Sequence, residues 1–231
     1  MEGPNLGKVT LESLIVTMDK VRFGDITLIE NYSSIGAELS LYFVVKYALG
    51  KGLPVLVEDV FDAFPGYMKH LEFMGIDFPI DVVGVVKIGG AEEYGHVVEK
   101  VQFEADPALY LGKKERAIAR AMGDDRYVHV VVGFERLFGF LKDVKDVHVV
   151  ANHLRELLGN ESRMVFHIID GNVIESFPTN PLPLLETVAT SVVAIHDHGD
   201  MLRLRFRKSV FTFLEGRNEV LLQPADIATW L

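Results

Sequence analysis

The stretch Gly24-Asp25-Ile26-Thr27-Leu28-Ile29-Glu30-Asn31-Tyr32-Ser33-Ser34-Ile35-Gly36-Ala37-Glu38 decides the fold. Gly24-Asp25 turns the chain. Ile26 to Glu30 is a short apolar run of the kind buried in a parallel sheet. Asn31 to Gly36 is a polar loop. A strongly apolar helix follows from about Ala37 to Leu49 and stops at Gly50 and Gly52. Strand, glycine-bearing loop and helix make the layout of a phosphate-binding loop. Its physics is a set of backbone N–H groups at a helix N-terminus, aimed at an anion.

The same alternation continues on both sides. Thr10 to Val21 reads as a helix with Thr10 as N-cap. A strand starts over Pro54 to Val57, and a helix runs from Phe64 to Met74, ending at Gly75. Strands follow at Val82 to Ile88 and Val97 to Phe103, with a Gly89-Gly90 turn between them. Asp106-Pro107 has N-cap and first-turn chemistry, opening a helix that ends near Gly123. Val128 to Val132 and Met164 to Ile169 are buried strands around a helix at Val144 to Leu158. Pro181 and Pro183 open a short helix to about Ala189. Ser191 to Ile195 and Met201 to Phe206 form an antiparallel pair around Gly199, and Phe211 to Leu214 with Glu219 to Leu222 form a second hairpin. Strands alternating with helices predict an α/β fold: a mainly parallel central sheet between helical layers, with antiparallel C-terminal strands. No repeat or linker divides residues 1–231, which are expected to form a single domain.

Composition narrows the function classes. The 231 residues are 49% hydrophobic and 24% charged, enough for a sizeable core. Cysteine is absent, which excludes disulfides and thiolate metal sites. The glutamines are Gln102 and Gln223 alone; with many Glu and Lys, this suits a hyperthermophile. A net charge of −10 argues against nucleic acid as a partner, because such binding releases counterions from a cationic surface. The longest apolar stretch, Leu39 to Leu49, contains Lys46 and is too short to span a membrane. The start Met-Glu-Gly-Pro-Asn lacks signal-peptide regions, so a cytoplasmic location is expected.

Residues 24–38 resemble the start of a KaiC-type ATPase domain of the RecA-like superfamily, whose loop reads Gly-x-x-x-x-Gly-Lys-Ser/Thr. The resemblance implies a RecA-like three-layer sandwich. On that pattern Asn31 replaces the first Gly, Gly36 keeps the second, Ala37 stands at the Lys and Glu38 at the magnesium-binding hydroxyl. No ammonium then reaches the phosphates, and a carboxylate sits where negative charge would arrive. Like charges about 4 Å apart repel by about 4 kcal/mol at an effective dielectric of 20. By itself, Glu38 is also the stabilising acid of a first helical turn, and Ser33 and Ser34 are either weak anion donors or ordinary loop serines.

The resemblance extends to two further elements. In KaiC-like domains a carboxylate pair closes the second strand and activates water; Glu58 and Asp59 match that place. The Walker B strand matches Val130-Val131-Val132, but Gly133 takes the Asp position and Phe134 the hydroxyl position. Leu202-Arg203-Leu204-Arg205-Phe206-Arg207-Lys208 is similar to the late strand that reaches a neighbouring subunit's phosphates, making Arg205, Arg207 and Lys208 subunit-interface candidates. Period two also gives a solvated strand face. The chain further resembles an uncharacterised family of hyperthermophilic archaea among P-loop folds, which implies no known activity.

The resemblance thus implies a pseudo-ATPase used as a protein-binding or assembly module, with a partner or a second copy, and no cofactor. Two alternatives stand beside it. One is an atypical ATPase whose cation comes from a neighbouring subunit; the other is a sensor that binds nucleotide or another anion without splitting it. His196-Asp197-His198 places two imidazoles on one strand face, but no further ligands complete a zinc set, so turn residues before Gly199 are expected and no metal. His129 and His167 lie in apolar strands as satisfied core or edge histidines.

Overall fold

The computed structural model describes residues 11–210 and 219–230. The elements are α1 (Leu11–Met18), β1 (Ile26–Asn31), α2 (Gly36–Gly50), β2 (Val55–Val60), α3 (Ala63–Phe73), β3 (Val83–Ile88), β4 (His96–Val101), α4 (Pro107–Met122), β5 (Tyr127–Val132), a 3-10 segment (Phe134–Phe140), α5 (Val144–Leu157), β6 (Arg163–Asp170), α6 (Gly171–Glu175), α7 (Leu182–Val188), β7 (Ser191–His198), β8 (Met201–Ser209), β9 (Glu219–Leu222) and α8 (Pro224–Ala228). The nine strands form one sheet in the order β4-β3-β2-β5-β6-β1-β7-β8-β9. β4 through β7 are parallel; β8 and β9 add antiparallel. Among the described residues no helix is long and apolar enough to cross a membrane.

Period two divides each central strand between two cores. Val55 and Val57 of β2, Val128, Val130 and Val132 of β5, and Ile29 of β1 pack under α1, α2, α3 and α8. Leu56 and Val60, Val131, and Ile26 and Leu28 pack on the other face under α4, α5, α6 and α7. α2 is apolar on nearly every side and is buried along its length, as such a helix must be. α4 and α5 are amphipathic and start on Asp106 and Asp143, whose carboxylates accept from N–H groups of their first turns. The three-layer α/β expectation holds.

Several local expectations change. β2 runs on to Val60, so Glu58 and Asp59 lie within the strand rather than closing it. Asn31 belongs to β1, and α2 begins at Gly36. β9 pairs with β8, and the expected strand Phe211–Leu214 and N-cap Thr10 lie outside the described residues. The short α6, the 3-10 segment and α8 had no sequence signal strong enough to separate them from loops.

Candidate functional site

The loop between β1 and α2 is closed by its own side chains. Asn31 Nδ2 donates to the Ser33 carbonyl at 3.0 Å, while Asn31 Oδ1 accepts from the Ser33 N–H at 3.2 Å and its hydroxyl at 2.8 Å. The Gly36 N–H donates to Ser33 Oγ at 2.9 Å. From the adjacent β7, Asp197 accepts from the Ser34 N–H at 3.1 Å and the Ser34 hydroxyl at 3.4 Å. The N–H groups of Ser33, Ser34 and Gly36 are thus spent on protein acceptors. A Cβ on Gly36 would lie 2.3 Å from Ser33 Oγ and 2.6 Å from Asn31 Oδ1, so the loop interior is already filled.

Carboxylates surround the carboxyl end of the sheet. Glu38 is buried in the first turn of α2, with Oε1 2.6 Å from His70 Nδ1 on α3. Beyond β5, Gly133 turns the chain at φ 76° and Glu135 is buried in the 3-10 segment. Burial pushes the Glu135 carboxyl up to about 7. Tyr67 of α3 is held above the usual phenol range by burial, then by the fields of Glu135 and Glu38, with Arg136 opposing.

Glu58 and Asp59 point to opposite faces of β2. Glu58 is fully buried beneath α4, with Lys114 Nζ at 3.4 Å, His129 Nε2 at 3.2 Å and the Tyr110 hydroxyl donating at 3.3 Å. Burial raises its carboxyl, but Lys114 and His129 more than offset that and bring it down to about 2. Next to it, Glu115 accepts from Arg163 at 2.7 Å and meets His153 at 3.1 Å. Asp59 accepts from the Phe64 N–H at 2.9 Å and from Lys87 at 3.0 Å, which fixes the start of α3. Both acids are held inside protein contacts. His129 and His167 are buried as expected, but they are not the satisfied histidines the sequence suggested. Neither makes a well-aligned hydrogen bond: His129 Nε2 stands 3.2 Å from Glu58 Oε2, and His167 lies against the Phe134 ring.

The family model for a Pyrococcus protein of unknown function, DUF257, matches residues 17–219. The chain belongs to DUF257. Among solved structures, a protein from Pyrococcus horikoshii OT3 is 24% identical over 94% of this chain and 98% of that one, with a TM-score of 0.74. The flagellar accessory protein FlaH from Methanocaldococcus jannaschii is 11% identical, covering 88% of this chain and 86% of its own, with a TM-score of 0.59. No curated protein matches. These likenesses bear out the RecA-like fold and the resemblance to an archaeal family.

In this DUF257 chain the late basic segment is tied down within its own chain. Arg207 bridges Glu30 and Glu186 at 2.7 Å each, and Lys208 donates to the carbonyls of Glu186 and Thr187 at 3.0 Å. Arg205 is exposed, with Glu219 at 3.8 Å. His196 stacks on Tyr32, and His198 contacts Arg203 at 2.5 Å; among the described residues no metal-holding cluster forms. The sequence offers Asp197 only as a turn residue, whereas it lies in β7. The signal that it closes the loop lies in the pairing of β1 with β7, which no local pattern discloses.

The buried groups set an acid-stability profile. Burial pushes His129 down and His167 down to about 3, so stability held above pH 6.5 is lost as pH falls. Glu30 and Glu135, pushed up to about 7 by burial, act in the opposite sense and relieve strain as pH falls from about 7 to 4.5. Each such group contributes up to about 1.4 kcal/mol per pH unit. The urea midpoint should therefore stay nearly level from pH 7 to 5 and drop steeply below 4.5, where His167 and Glu58 act unopposed. Glu135→Gln should expose a slope already below pH 6.5. A wild-type midpoint falling steadily from pH 7 would contradict this balance.

Proposed function

We propose that this chain is a RecA-like scaffold that does not hydrolyse ATP and serves as a protein-binding or assembly module, docking a partner or a second copy of itself. The observation that supports this reading is the closed loop. Asn31, Ser33 and Asp197 take the N–H groups of Ser33, Ser34 and Gly36, and no lysine follows Gly36. A triphosphate would have to displace the Asp197 carboxylate and then face buried Glu38, at a cost in repulsion and lost hydrogen bonds. Glu58, the acid that would activate water, is spent on Lys114 under α4. On this reading residues 1–231 act as one cytoplasmic domain without a cofactor, and neither nucleic acid nor membrane is its partner.

Calorimetry with Mg-ATP and Mg-ADP tests it, with an active KaiC-like domain as positive control. No heat is expected from this chain. Micromolar nucleotide binding would overturn the reading. Sedimentation alone and in source lysate tests the assembly role; a monomer that recovers no partner counts against it.

A further inference from the structure

Beneath α1 and α2 the core does not close. A partly open cavity of about 70 Å³ lies between these helices and the sheet face of β1, β7 and β8. A single water needs roughly 10–15 Å³, and protein interiors hold few larger voids. The walls are mostly apolar. Leu14 of α1 and Leu39 and Phe43 of α2 form the roof, and Val193 and Phe206, opposite each other in β7 and β8, form part of the floor. One end differs. Thr27 pairs with Ser191 across β1 and β7, and Ser191 with Ser209 across β7 and β8, so three hydroxyl side chains cross the floor in a row. Half-buried Thr17, Val21 and Ser209 line this end and give it a route to solvent. Thr17 and Ser40 donate to the carbonyls of Ser13 and Gly36, at 2.9 and 2.6 Å, but the Thr27 hydroxyl is buried with no partner. A buried hydroxyl without a hydrogen bond is a costly arrangement that a bound oxygen would relieve.

We propose that this cavity binds a slender aliphatic molecule with a single neutral oxygen head, an alcohol or a ketone. The chain lies between α2 and the floor of β7 and β8, and the head meets the hydroxyl row at Thr27. Apolar walls favour hydrocarbon over water, because a guest restores the dispersion contacts that an empty apolar cavity forgoes. The same walls exclude a charged head. Among the described residues that line the cavity none is Lys, Arg, His, Asp or Glu, so a carboxylate or an ammonium would enter without a counter-charge. The occupant is thus a small lipid-like molecule rather than a nucleotide. The inference goes beyond the reading above and does not rest on it: none of Asn31, Ser33 and Asp197, which close the loop between β1 and α2, lines the cavity.

The test titrates the full chain with 1-hexanol, and separately with hexanoate, at neutral pH and follows the methyl NMR signals of Leu, Val and Ile. 1-Hexanol is expected to bind saturably. It should shift the methyls of Leu14, Leu39 and Val193, which line the cavity, and spare those of Leu154 and Val165 on the opposite face of the sheet. Hexanoate should bind at least about tenfold more weakly, because its charge is left without a partner. Thr27→Val keeps the side-chain shape and removes the hydroxyl; it should weaken 1-hexanol about fivefold, the worth of one neutral hydrogen bond. Val193→Phe fills the cavity and should abolish binding; if that variant does not fold, Thr27→Val decides. No saturable binding of 1-hexanol, shifts spread over both faces of the sheet, or equal binding by Thr27→Val overturns the proposal, as does hexanoate binding as tightly as the alcohol. Nucleotide binding in the calorimetry above would remove the proposed function and leave this inference standing; absent hexanol binding removes this inference alone.

Discussion

Lys114→Met is expected to cost about 3–5 kcal/mol of stability, because it strands a charge in the core. The Lys114 side chain is 1% exposed and its Nζ lies 3.4 Å from Glu58 Oε2. Burial alone would raise the Glu58 carboxyl; Lys114 is the first of the groups that instead hold it at about 2. Methionine keeps the volume and apolar stem but removes the ammonium. Glu58 must then ionise without its partner or take up a proton near neutral pH. The double variant Lys114→Met with Glu58→Gln should recover most of the loss, since removing both charges removes the uncompensated one. Urea unfolding of the two variants and of Glu58→Gln alone measures the coupling. If Lys114→Met costs less than about 1 kcal/mol, the ion pair is not what holds Glu58 charged. The result also bears on function: an acid whose removal reads in stability is a structural group.

Gly133→Asp, which would place an acid at the end of β5, should destabilise the protein by roughly 2–5 kcal/mol. Gly133 sits at φ 76°, where a side chain costs roughly 1–2 kcal/mol. A Cβ there would lie 2.4 Å from the Val60 carbonyl oxygen and 2.6 Å from the Ala63 Cβ. The first is backbone of a central strand and the second sits in the first turn of α3, so neither moves cheaply. Overpacking adds about 1–3 kcal/mol more. The expected product is insoluble, or folded with a melting temperature lowered by about 4–20 °C, at roughly 2–4 °C per kcal/mol for a domain of this size. A soluble Gly133→Asp protein with an unchanged melting temperature would show that the turn can rearrange. The turn after β5 thus requires a glycine at position 133.

The element order was legible because its signals are local. Apolar runs such as Val128–Val132 can only be strands buried on both faces, and Asp106-Pro107 announces a helix start by satisfying its first N–H groups. The strand, polar loop and helix over residues 26–49 were legible for the same reason. What Glu58 and Asp59 do was not legible. Both are acids near a strand end, and only the strand's true length and the alternation of its faces separate them, one under α4 and the other on Lys87. Glu135 gave no signal, because its environment is made by α3 and β6 rather than by its neighbours in sequence.

The sequence by itself determined that this is a mainly parallel α/β protein in which a strand, a polar loop and an apolar helix follow one another over residues 26–49, because periodicity, capping and residue identity act over a few residues. Only the tertiary structure decided what fills that loop and where the remaining charges go. Asp197 meets Ser34 across 163 positions, and Arg207 meets Glu30 across 177. Such pairings depend on which strands become neighbours, and strand order is set by burial of the whole sheet rather than by any one segment.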